Sequence, residues 1–98
     1  QDNYALHPNG VIENFWFVGN QGFGSAYYKL NSNGSLKLLE AWASQDDPNP
    51  NKQYRYSSTS TDPWENPKAF KYVKESYIDK LISKYGDALR FNFTPVFD

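Results

Sequence analysis

Val11-Ile12-Glu13-Asn14-Phe15-Trp16-Phe17-Val18 is the stretch whose reading decides the fold. A run this rich in β-branched and aromatic residues favours a strand. Successive strand side chains point to opposite faces, so Phe15 and Phe17 occupy one face and Trp16 the other. Large rings therefore stand on both sides of a single strand. Tyr27 against Tyr28, and Leu39 against Leu38 and Trp42, divide in the same way. An antiparallel sheet with little helix normally has one dry face and one polar face. Here the second face is apolar too and needs a cover.

Working outward, the first strand is predicted over Val11 to Gly19. It follows an N-terminal arm, residues 1–10, that ends in the turn cluster His7-Pro8-Asn9-Gly10. Asn20 to Gly24 then reverses the chain, with Phe23 at the loop tip. Ala26 to Leu30 and Ser35 to Leu38 flank Asn31-Ser32-Asn33-Gly34, an Asn-Gly hairpin signal. The third strand runs on to about Ala43, and a polar, proline-bearing loop spans Gln45 to Lys52. Gln53 to Thr59 alternates as a fourth strand.

A helix is predicted next. Asn66 suits its cap, Pro67 its first position, and Gly86 the residue past its end. Between them Phe70, Val73, Tyr77, Ile78, Leu81, Ile82 and Tyr85 recur at helical spacing and draw one apolar stripe. Lys68, Lys71, Lys74, Glu75, Asp79, Lys80 and Lys84 fall largely elsewhere, with Lys71 and Glu75 a turn apart as an ion pair. Leu89 to Phe93 is a short last strand that Pro95 ends. The order β-β-β-β-α-β predicts a single α+β domain: an antiparallel four-stranded meander, one long C-terminal helix and a short final strand.

Ninety-eight residues are enough for one core. A net charge of -1 and no Lys or Arg run argue against a nucleic-acid partner. The chain has no cysteine, which excludes disulfides, thiol nucleophiles and zinc-thiolate sites. It has no methionine either, so the chain beginning at Gln1 reads as a processed or trimmed product. No apolar run approaches transmembrane length. Abundant Asn, Ser, Tyr and Gly without oxidisable sulfur suit a secreted or cell-surface protein.

Chemistry-bearing motifs are sparse, and the sequence names no reaction, cofactor or metal. His7, the sole histidine, reads as a turn residue, and no Ser lies in a nucleophile elbow. Gly19 to Gly24 lacks the Gly-Lys-Ser/Thr ending of a phosphate loop. Asp47, Asn49 and Asn51 alternate like calcium ligands, but Lys52 and Ser58 stand where an EF-hand needs Gly and Glu. Asn33-Gly34-Ser35 and Asn92-Phe93-Thr94 match the glycosylation pattern, at a frequency that chance supplies. Glu13 and Glu40 are the one candidate carboxylate pair for hydrolysis. Strict alternation puts Glu13 with Phe15 and Phe17, and Glu40 with Leu36, Leu38 and Trp42.

The aromatics carry the functional expectation. Trp16, Tyr28, Trp42, Tyr54 and Tyr56, with Arg55 among them, are candidate binding residues on one sheet. They would stack on sugars or anchor a protein. Tyr4, Leu6, Val96 and Phe97 in the two ends are the internal covers, and Trp64 an anchor for the first helical turn. The expectation is a non-enzymatic binding module for a protein or carbohydrate, self-association included. The alternatives are a carboxylate hydrolase using Glu13 and Glu40, or an inhibitor acting through the loops at Asn20–Gly24 or Gln45–Lys52.

Overall fold

The computed structural model describes residues 3–18 and 22–91. Among them the order is β1 (Asn3–Leu6), β2 (Val11–Val18), β3 (Gly22–Leu30), β4 (Leu36–Ser44), β5 (Tyr54–Ser57), β6 (Lys71–Val73), α1 (Glu75–Tyr85) and β7 (Leu89–Phe91). All pairings are antiparallel, in the spatial order β6-β5-β4-β3-β2-β1-β7. The α+β class, the central meander and the C-terminal helix agree with the sequence reading, but the sheet has seven strands rather than four plus one.

The added strands come from two misread segments. Residues 3–6 of the expected arm form β1, which fills the space between β2 and β7. The expected five-turn helix begins late. Pro67–Ala69 is a short 3-10 turn, for which Asn66 makes no side-chain cap, and Lys71–Val73 is a strand. Val73 pairs with Tyr54 and Lys71 with Tyr56. Phe70, Val73 and Tyr77 fit helical spacing, but Tyr72 and Val73 also favour a strand, and the nonlocal partner β5 decides between them. Lys71 and Glu75 therefore lie on different elements, and Glu75 bonds the Tyr54 hydroxyl instead. Gly86 does end the helix, with φ 72.

The hairpin turn is as read. Gly34 takes φ 87 and its amide donates to the Asn31 carbonyl, while Asn33 Oδ1 accepts from the Ser35 amide. Phe23, expected at a loop tip, is a β3 residue facing Phe17 and Ser44 across the pairs. Residues 19–21, and the C-terminal residues with Pro95, Val96 and Phe97, lie outside the described residues.

Two apolar layers flank the sheet, as the double-sided aromatics require. On the helix face Ile78, Leu81 and Tyr85 of α1 bury Val11, Tyr27 and Trp42. Fully burying a side chain such as Ile78 is worth about 1.5–3 kcal/mol. The opposite face gathers Ile12, Ala26, Tyr28, Leu36 and Ala41, with Tyr4, Trp16 and Leu38 around them. The chain after β5 folds over part of this second face. Ser57, opposite Ala41, accepts from the amides of Thr59 and Ser60; Pro63 is fully buried; and Trp64 lies 5.8 Å from the Arg55 guanidinium. Trp64 thus covers the sheet and does not staple the helix.

One register shift reorders β4. Tyr27 faces Glu40 and Tyr28 faces Leu38, which leaves Leu39 as a bulge. The extra residue puts Glu40 and Trp42 on the helix face and Leu36 and Leu38 on the other, against strict alternation.

Candidate functional site

The sheet register sets Ala5, Glu13, Tyr27 and Glu40 side by side on the helix face. Glu13 and Glu40 are therefore two strand spacings apart, about 10 Å of backbone, and the buried Tyr27 stands between them. Its ring stacks on Tyr85 at 4.1 Å between centroids.

Both oxygens of each carboxylate are engaged. Glu13 Oε2 accepts from Ser25 Oγ at 2.5 Å, and Glu13 Oε1 lies 2.6 Å from His7 Nε2. The turn at Gly10, whose amide donates to the His7 carbonyl, holds His7 in place. Its Nδ1 lies 3.0 Å from the Tyr85 carbonyl and 2.9 Å from that of Gly86. Carbonyls only accept, so Nδ1 carries hydrogen and closes the last turn of α1. The buried histidine is thus a clasp between sheet and helix rather than a solvated turn residue.

Glu40 accepts from the Tyr56 hydroxyl at 2.7 Å and from the Tyr85 hydroxyl, and lies 2.6 Å from Lys84 Nζ. Burial pushes its pKa up, but the Lys84 ammonium and the two phenols outweigh burial and hold it below the usual value. The same arrangement raises the pKa of Tyr56 and Tyr85, through burial first and then through the bond to the ionised Glu40. Burial also raises that of Tyr27.

Such a cluster does not supply paired hydrolytic acids. Glu40 is held ionised, Glu13 has both oxygens engaged, and a phenol ring fills the gap where a glycosidic bond would sit. Ser25 donates to a carboxylate rather than to a histidine, so no nucleophile–base pair forms.

The six residues singled out from the sequence divide between the faces. Trp16, Tyr28 and Arg55 lie on the second face, while Trp42, Tyr54 and Tyr56 lie under or beside α1. Tyr28 and Trp42 are buried, and Trp42 Nε1 donates to Tyr27. Arg55 donates to Gln45 at 2.7 Å. They do not make one row. In the loop at Gln45–Lys52, Asp47 and Asn49 each accept from a backbone amide two residues on, as Asx turns.

The open surface lies elsewhere. A groove of roughly 370 Å³ runs between β6 and the start of α1, lined by Lys71, Tyr72, Val73, Lys74, Tyr77 and Lys80. Lys71 also lines a neighbouring depression with Tyr56 and Lys68, and Tyr77 and Lys80 line a third with Lys84. The track therefore carries five of the chain's eight lysines. These lysines were legible as a charged helix flank, but their convergence on a strand edge depends on β6 forming.

Among the described residues no helix is long and apolar enough to cross a membrane. No protein-family model, curated protein or solved structure matches the chain.

Proposed function

We propose that this domain is a non-enzymatic binding module, secreted or displayed at a cell surface, that recognises a protein partner. The contrast between interior and edge supports this reading. The interior acid–base groups are closed by hydrogen bonds, whereas tyrosine and lysine side chains line an open groove at one sheet edge. Tyr54, Arg55 and Tyr56 of the sequence-derived set lie on β5, directly beside that edge, and Tyr56 lines the adjoining depression. Tyrosine is enriched at interface centres, and lysines around it steer a partner of opposite charge. Composition without cysteine or methionine accords with export.

The test presents the folded domain to immobilised peptides and glycans, alongside turnover assays with ester and glycoside substrates. Saturable peptide binding without turnover is expected. Turnover that disappears in Glu13→Gln or Glu40→Gln would overturn the module reading, and binding confined to glycans would overturn the protein partner.

A further inference from the structure

The geometry points to an extended, acidic peptide segment as the ligand of the β6–α1 groove, added as a further strand on the outer edge of β6. This rests on the reading of the domain as a binding module and specifies the partner's chemistry.

The first observation concerns charge. Pro67 to Lys84 holds five lysines against two carboxylates, in a chain of net charge -1. One of the two, Glu75, bonds Tyr54. No carboxylate lines the groove itself. Among the described residues Lys68, Lys71, Lys74 and Lys80 form no ion pair, and the ammonium of Lys71 instead lies 5.8 Å from the Tyr56 ring centre. The one acidic residue along the track, Glu40, is sealed under Lys84 and two phenols. Unneutralised lysines gathered along a groove and its adjoining depressions favour a negatively charged occupant.

The second observation separates a peptide from other polyanions. β6 is the last strand on its side of the sheet, so among the described residues its outer edge has no strand partner. Tyr72 and Val73 point to opposite faces, yet both line the same groove, which therefore straddles the strand edge. An edge offers alternating amide and carbonyl groups that an extended peptide can pair and a sugar or nucleotide chain cannot match in register. Lysines on such an edge repel a basic strand, lose hydration without compensation beside a neutral one, and pair with an acidic one.

The experiment measures anisotropy of a short fluorescein-labelled peptide alternating Glu with Val or Thr. Its comparators are the same peptide N-methylated at the Glu positions, the same peptide N-methylated at the intervening positions, a Lys-for-Glu peptide, a heparin oligosaccharide and a single-stranded oligonucleotide. Binding of the Glu peptide is expected to weaken with salt and to fall about tenfold or more in K74E/K80E, and similarly on N-methylation of the alternate set whose amides face β6. The outward-facing amides of β6 should gain protection from hydrogen exchange. K74Q/K80Q, which adds no repulsion, should show a smaller loss and serves if the reversal variant fails to fold. Equal binding of both N-methylated peptides would overturn strand addition, and tighter binding of heparin or the oligonucleotide would overturn the peptide class. A different peptide that binds K74E/K80E undiminished would remove this site but leave the module reading intact. Turnover dependent on Glu13 or Glu40 would remove both.

Discussion

The phenol rings of Tyr27 and Tyr85 stack at 4.1 Å with an interplanar angle of 11°, and this contact joins the middle of the sheet to the last turn of α1. The Tyr85 hydroxyl reaches on to Glu40, so one residue contributes both packing and a polar bond. The two contributions separate by substitution. Tyr85→Phe keeps the stack and leaves Glu40 one donor short, at about 1–3 kcal/mol. Tyr85→Ala also opens a cavity and should cost about 3–5 kcal/mol. Urea unfolding of both variants checks the order, and equal losses would mean that the stack contributes little.

Removing the imidazole should loosen the same corner from the other side. His7→Ala leaves Glu13 with Ser25 as its one remaining partner and frees two helix-end carbonyls. A loss of about 3 kcal/mol is expected, with faster amide exchange at the end of α1. Unchanged exchange there would show that the histidine does not hold the helix.

Stability should fall at both extremes of pH. The Glu40 pKa is lowered in the native state, so its contribution is present above the ordinary value of 4.5 and lost as pH drops through the native value. The pKa values of Tyr27, Tyr56 and Tyr85 are raised, so their contribution is complete below the ordinary 10.0 and lost above it. Thermal melts across pH, followed on the alkaline side by tyrosinate absorbance, should show cooperative unfolding rather than gradual phenol ionisation.

Gly24 tests the packing of the second face. A Cβ added there would lie 2.6 Å from the Trp16 ring and 2.4 Å from the Trp42 carbonyl, which belongs to a paired strand and cannot yield. Gly24→Ala should cost about 3 kcal/mol and shift the tryptophan emission. Gly10→Ala meets nothing within 4 Å and has only φ 77 to oppose it. A cost of about 1–2 kcal/mol follows. Calorimetry of the pair separates steric from conformational strain.

Local signals were legible in the sequence and nonlocal ones were not. Asn31 to Gly34 and Gly86 announced a turn and a helix end because each demands a particular backbone conformation. The opposite placement of Trp16 and Phe15 followed from alternation alone. Alternation failed at Leu39, where a bulge moved Glu40 away from Leu36 and Leu38 and into the row of Glu13. Lys71 to Val73 satisfied two periodicities at once, and only pairing with Tyr54 to Tyr56 chose between them. The lysine groove inherits that ambiguity. His7 looked like a surface turn because nothing near it in sequence reveals that the carbonyls of Tyr85 and Gly86 arrive above it.

The pairing of β1 with β7 has a mechanical side. Tyr4 lies opposite Phe91 and Leu6 opposite Leu89, so the outward ends of both strands sit at the same end of the ladder. Tension applied through residues 3 and 91 would open this seam one rung after another, the weakest way to load a sheet, instead of shearing all rungs together. Pulled from these two points, the domain should yield at low force and lose β7 first, while the meander beneath stays intact.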